Sequence, residues 1–189
     1  MKRALGKENF STTEKNLLMS LCAIRNGMGE LTLCRKWRLV LIAIGSDHAG
    51  YLLKADIIKF LESKGYEVKD FGTNCPDSVD YPDYGQAVAE AVSNKECDRG
   101  IVICGTGIGI SIACNKVPGI RAALCTDSYM AKMSRQHNDA NILAIGERVV
   151  GPGVAFDIIE TWLETEFLGG RHGNRVGKIS NIEKKYFTK

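Results

Sequence analysis

Residues 100–109 read Gly100-Ile-Val-Ile-Cys-Gly-Thr-Gly-Ile-Gly109, an apolar run that breaks into alternating glycines. A short apolar run bounded by such a turn predicts a strand buried on both faces. The residues beyond the turn continue as a helix to about Asn115. Toward the N-terminus, Leu39-Val-Leu-Ile-Ala-Ile44 reads as a second buried strand. Leu53, Ile57, Phe60 and Leu61 then recur at helical spacing, and Lys64-Gly65 ends that helix. Tyr66-Glu-Val-Lys-Asp-Phe71 alternates as a short strand, and Pro82 opens a helix carrying Tyr84, Ala87, Val88, Ala91 and Val92.

Toward the C-terminus the alternation continues. Arg121-Ala-Ala-Leu-Cys125 reads as a strand, Ser128 to about Arg135 as a helix, and Ile142-Leu-Ala-Ile145 as a strand. Pro152 to about Glu164 forms a helix with Val154, Ala155, Ile158, Ile159 and Trp162 on one stripe. The turn Gly169-Gly-Arg-His-Gly173 leads into a final polar helix. Five strands alternating with helices predict a three-layer α/β/α sandwich around a five-stranded parallel sheet, Rossmann-like in class. Ligands in that architecture bind at the carboxyl ends of strands.

The character of the chain changes near Arg38. Residues 1–38 carry eight Lys/Arg against three Asp/Glu and show no sustained periodicity. They read as an N-terminal extension, disordered or arising from a start assigned too far upstream, with Met28 as an internal alternative. Residues 39–189 read as the single functional domain. That domain holds 17 basic and 19 acidic residues, so the net charge of +3 comes from the extension. Its balance does not suit a nucleic-acid-binding field. No run reaches the ~20 apolar residues of a membrane span. Leu17-Leu-Met-Ser-Leu-Cys-Ala-Ile24 is the nearest, and it lacks the marks of a secretion signal. Seven cysteines, an odd number without a C-x-x-C pair, point to free thiols in a reducing cytoplasm rather than a disulfide framework.

Four segments that follow predicted elements concentrate the reactive side chains. They are Gly45-Ser-Asp-His-Ala-Gly50, Cys104-Gly-Thr-Gly-Ile-Gly109, Ser134-Arg-Gln-His-Asn-Asp139 and Gly169-Gly-Arg-His-Gly-Asn-Arg175, and they hold all three histidines. Alternating glycines before a helix let several backbone N–H groups converge on an anion. A dinucleotide-binding turn is the obvious rival, and Asp127 does end the next strand. That fingerprint needs a glycine where this chain has Ile110, and here the turn does not open the fold. Cys104 is either the last apolar residue of its strand or a thiol facing the cradle, where a helix N-terminus favours the thiolate. The adjacent glycines and the histidine segments favour chemistry. Asp47-His48 and His137-Asn138 lack the paired spacing of metal ligands, and a histidine near neutrality is a natural proton shuttle. His137 follows Arg135, which by itself reads as a solvated helix end. Arg171 and Arg175 suit phosphate oxygens, or are ordinary surface charges.

With Asp80-Tyr-Pro-Asp83 added, five motifs stand in an order and spacing that resemble the ribose-5-phosphate isomerase B family, which also contains galactose-6-phosphate and allose-6-phosphate isomerases. The resemblance runs from about Val40 to the C-terminal helix. It implies that Cys104 is the base that takes the proton from the carbon beside the sugar carbonyl. One branch of the family uses a glutamate six positions later, where this chain has Ile110. It implies that His137 opens the furanose ring, with Asp47 and Thr106 in the same site. The N–H groups of Gly105, Thr106, Gly107, Ile108 and Gly109 would hold the enediolate. Asn138 and Tyr81 would contact the sugar, and His48, Arg148, Arg171 and Arg175 would surround the phosphate. It further implies no cofactor, no metal, and a homodimer or homotetramer with sites shared across an interface. The expected reaction interconverts ribose 5-phosphate and ribulose 5-phosphate. A six-carbon sugar phosphate, or a sugar-phosphate or nucleotide-binding module without turnover, is the alternative.

Overall fold

The computed structural model describes residues 23–25, 31–33 and 40–187. The chain divides into two compact units, Met1–Leu39 and Val40–Lys189. In the first, β1 (Ala23–Arg25) and β2 (Leu31–Leu33) pair antiparallel, with Ile24 opposite Thr32. The rest of the expectation for residues 1–38 lies outside the described residues.

The second unit alternates as its sequence pattern requires. β3 (Leu41–Ser46) leads through a 3₁₀ turn (His48–Gly50) into α1 (Tyr51–Ser63) and then β4 (Glu67–Asp70). Next come α2 (Tyr81–Ser93), β5 (Arg99–Cys104) and α3 (Ile108–Cys114). β6 (Ala122–Leu124), α4 (Ser128–Asn138), β7 (Ile142–Gly146), α5 (Pro152–Glu164) and α6 (Arg171–Phe187) complete it. The five strands β3 to β7 are all parallel, in the order β4-β3-β5-β7-β6. Parallel neighbours need crossover helices, which cover both faces and explain why β7, and β5 beyond Arg99, are apolar and buried.

Two cores lie either side of the sheet. Ile42, Ile44, Ile101, Ile103, Leu143 and Ile145 face α1 and α5, against Leu53, Ile57, Ile158 and Trp162. Ala43, Val102, Cys104 and Ala144 face α2 and α3, against Val88, Ile110 and Cys114. Adjacent strand residues thus serve opposite layers, as a period of two demands.

Two local outcomes differ from the sequence pattern. α4 runs on past Arg135 to Asn138, because Asp139 takes the left-handed conformation (φ +45°) and its N–H caps the Arg135 carbonyl. His137 and Asn138 therefore lie in the last helical turn. Arg135 is not a solvated end. It is 5% exposed, bonded to the Asp139 carboxylate and the Ala140 carbonyl, and its guanidinium lies 5.6 Å from the ring centre of buried Trp162. Arg99 approaches the same ring at 5.5 Å. Burial, and then the neighbouring Arg135 charge, lower the Arg99 pKa.

Candidate active site

The carboxyl end of β5 carries Cys104, which is 5% exposed. The Gly107 N–H donates to its Sγ at 3.1 Å. That bond requires the chain to double back, and Gly107 does so at φ +78°, ψ −15°. A Cβ there would sit 2.5 Å from Leu124 Cδ1 and 2.9 Å from the Ile145 carbonyl carbon. Only glycine meets both the dihedral and the space. Gly146 opposes Cys104 on β7, and a Cβ on it would lie 2.5 Å from the Thr106 carbonyl carbon. The alternating glycines thus let the turn rest directly on β7.

The cradle is narrower than five converging N–H groups. The Gly107 N–H is engaged by the sulfur, and the Ile108 N–H donates to Thr106 Oγ1 at 3.3 Å. The first turn of any helix leaves its N–H groups without intrahelical acceptors, and in α3 Gly109 belongs to that turn. The Tyr81 ring packs against Gly109, where a Cβ would meet it at 2.7 Å. Arg148 is exposed, with its Nε 3.7 Å from the Cβ position of Gly105 and its own N–H on the Gly105 carbonyl at 3.0 Å.

At the neighbouring end of β3, Asp47 is 5% exposed and caps the 3₁₀ turn by accepting the Ala49 N–H at 2.9 Å. His48 Nδ1 lies 3.2 Å from both the N and the O of Val79. The Gly50 Cβ position is 2.6 Å from Ile103 Cγ2, so this turn presses against the strand that carries Cys104. Sequence reading overlooked Glu147 here. Its carboxylate accepts the Leu53 N–H at 3.0 Å, and its N–H donates to the Cys104 carbonyl. Cys104, Gly105, Thr106, Gly107, Ile108, Gly109, Asp47, His48, Tyr81 and Arg148 therefore share one end of the sheet.

The other expected residues gather elsewhere. His137 stacks on His172 with ring centres 4.1 Å apart and planes 3° from parallel. Arg171 Nε donates to His172 Nε2 at 3.4 Å. Burial, followed by His137, Arg171 and Arg175, lowers the His172 pKa. Arg175 lies one turn further along α6, exposed, and Asn138 is exposed beside His137. The Leu168 N–H on the Gln136 carbonyl ties the loop before α6 to the last turn of α4. His172 lies within Gly169-Gly-Arg-His172, and the sequence alone gives it no role, because a ring contact between residues 35 apart leaves no local signal.

Topology separates the two groups. Gly100 pairs with Ile142 and Cys104 with Gly146, a step of four residues, or about 13 Å along the strands. His137 precedes Ile142, at the amino edge of the sheet, whereas Cys104 stands at the carboxyl edge. Among the described residues no hydrogen bond or ring contact joins them. Nor does any group of three or more His, Cys, Asp or Glu among those residues suit a metal ion. No helix among them is long and apolar enough to cross a membrane.

Comparison with known proteins places this arrangement. The Ribose/Galactose Isomerase family pattern matches residues 42–179. A ribose-5-phosphate isomerase B from Escherichia coli (strain K12) is 51% identical over 144 residues, which are 76% of this chain and 97% of that protein. A solved ribose-5-phosphate isomerase B from Clostridium thermocellum is 71% identical, with a TM-score of 0.77, and covers 78% of this chain and 99% of that one. A Mycoplasma genitalium ribose-5-phosphate isomerase B, solved with bound ribulose-5-phosphate, is 42% identical with a TM-score of 0.74 over 77% of this chain and 97% of that one. Family match, identity over nearly the whole length of these relatives and a shared five-stranded parallel fold agree: the chain belongs to the ribose/galactose isomerase family.

Proposed function

We propose that this protein interconverts ribose 5-phosphate and ribulose 5-phosphate through an enediolate, with Cys104 as the base. The observation that carries the reading is the buried Cys104 sulfur, held by the Gly107 N–H in a glycine turn ahead of α3. The bound ribulose-5-phosphate of the Mycoplasma genitalium relative supports the substrate.

The steps balance without any outside oxidant. His137 gives a proton to the ring oxygen as the C1–O bond breaks, and the C1 hydroxyl loses its proton, with the Asp47 carboxylate available as acceptor. The Cys104 thiolate then removes the C2 proton, and the electron pair moves into the C1 carbonyl to form the enediolate. The proton of the C2 hydroxyl passes to the C1 oxygen, and return of the abstracted proton to C1, as the C2 carbonyl forms, gives the ketose. Each fixed donor to the enediolate contributes about 3–4 kcal/mol at the transition state. General acid–base help adds ~10²–10⁴-fold at each proton step. Asn138 and Tyr81 hold the sugar, Thr106 lines the cradle, and His48, Arg148, Arg171 and Arg175 grip the phosphate. That remote grip orients the reacting carbons.

The working unit is a symmetric dimer, or a tetramer built from one. Cys104 and His137 stand at opposite edges of one subunit, and a two-fold axis brings one edge of each subunit to the other. The free thiols at Cys75, Cys97, Cys104, Cys114 and Cys125 suit a cytoplasmic enzyme.

Purified protein with ribose 5-phosphate tests the reading. Turnover is expected, with a Cys104→Ala loss of at least a hundredfold and little change in binding. An unchanged rate in that variant removes Cys104 as base. Turnover confined to six-carbon sugar phosphates replaces the substrate.

A further inference from the structure

Ring opening needs the His137 imidazole aimed at the ring oxygen. A catalytic imidazole is ordinarily oriented through one ring nitrogen by a third group. Among the described residues neither nitrogen of His137 carries a hydrogen bond. Its ring is instead covered by the parallel His172 ring at 4.1 Å. His172 is 5% exposed, and it is anchored by its backbone N–H on the Gly169 carbonyl at 3.0 Å. Arg171 Nε donates to its Nε2, so the proton of the neutral ring sits on Nδ1, which is buried and has no partner. Protonating Nε2 would abolish that bond and add a cation beside Arg171 and Arg175 on its own helix and against His137 from α4. Burial and these neighbours depress the His172 pKa accordingly.

We propose that His172 is the positioning residue for His137, an uncharged ring that holds it by its face and leaves both of its nitrogens free for proton transfer. The inference rests on His137 as the ring-opening acid. Holding by the face has a chemical advantage over holding by an edge. One His137 nitrogen can deliver a proton to the sugar while the other is refilled. A neutral neighbour also lets His137 carry the positive charge, which a second protonated imidazole at this distance would oppose.

The test separates ring opening from enolisation. Ribulose 5-phosphate is acyclic, because the oxygen that would close its furanose carries the phosphate. Exchange of solvent deuterium into its C1 position needs Cys104 but no ring opening. Three variants, His172→Ala, His172→Phe and His137→Ala, are compared for ribose 5-phosphate turnover and for this exchange. His172→Ala is expected to lose about tenfold or more in turnover, a part of the usual general-acid factor. Its exchange should stay within about threefold of the parent. His172→Phe, which keeps a flat uncharged ring and fills the volume, should recover most of the turnover.

Turnover within twofold of the parent in His172→Ala overturns the proposal. Equal loss of turnover and exchange in both His172 variants overturns it too, since that is the pattern of a structural defect. A split in His172→Ala that Phe does not repair means that a nitrogen, not the ring face, is what matters. His137→Ala distinguishes the two levels. If it turns over ribose 5-phosphate normally, the role of His137 fails and this inference with it. If it shows the split and His172→Ala does not, only the inference falls.

Discussion

Cys104 and His137 stand at opposite edges of one parallel sheet. Cys104 is level with Gly146, the last residue of β7, and His137 belongs to the helical turn that precedes Ile142, its first. α4 has 11 residues, about 16 Å of helix, and its direction carries the chain from the carboxyl edge back to the amino edge. If one site uses both residues, they come from two subunits.

Subunit mixing checks this directly. Cys104→Ala and His137→Ala proteins, each inactive alone, are mixed after unfolding and refolded together. In a two-fold dimer half of the molecules are mixed, and each of those has one site with both native residues. About a quarter of parental activity should return. Sites built within one chain would recover nothing.

Gly107→Ala should disable the turn beneath Cys104. The dihedral at φ +78° penalises any Cβ, and this one would lie 2.5 Å from Leu124 Cδ1. A stability loss of about 1–3 kcal/mol is expected from the strained conformation alone. Turnover should fall by more than the folded fraction does, because the N–H that donates to the sulfur is displaced. Urea melts read beside steady-state rates separate the two effects.

Lys54 contributes through folding rather than chemistry. Its side chain is 3% exposed and pairs with Asp70, which is 32% exposed and accepts the Gly72 N–H at 2.8 Å. The Thr73 N–H just beyond meets the Ser46 carbonyl at 3.0 Å, beside Asp47. Lys54→Met leaves a partly exposed carboxylate without its cation and should cost about 1–2 kcal/mol. Adding Asp70→Asn should return part of that loss, since the uncompensated charge is then gone. Denaturation midpoints of the two variants decide it.

Alkaline pH should weaken the fold through two thiols. Burial pushes Cys114 up to about 12 and Cys125 up to about 11, from an ordinary value of 9.0. Between pH 9 and 11 the unfolded chain therefore binds fewer protons than the folded one. Stability is fully present below pH 9 and falls as pH rises beyond it. A Cys114→Ala/Cys125→Ala double variant should flatten that fall in urea titrations at pH 8 and pH 10. Iodoacetamide at pH 8 should modify neither thiol in the folded protein, a result read by peptide mass.

Much of the fold was legible in the sequence because its signals are local. The run Gly100–Cys104 followed by Gly105, Gly107 and Gly109 specifies a buried strand and a tight turn whatever lies around it. Pro152 to Glu164 shows both its start and its apolar stripe. Less legible were ends that depend on distant partners. Ser128 to about Arg135 became a helix to Asn138 because Arg121, from across the chain, bonds the Asp139 carbonyl and carboxylate where the helix stops. Arg135 looked like a surface charge because nothing in its neighbourhood announces Trp162, 27 positions away.

The sequence by itself determined the layered parallel architecture, the glycine cradle under Cys104 and the family, since apolar period, turn chemistry and motif spacing are properties of consecutive residues. Only the tertiary structure decided that Cys104 and His137 part to opposite edges of the sheet, and that His172 lies flat on His137. Those relations follow from the direction of α4 and from two helix ends meeting across a loop. Packing sets them, and no short stretch of chain encodes it.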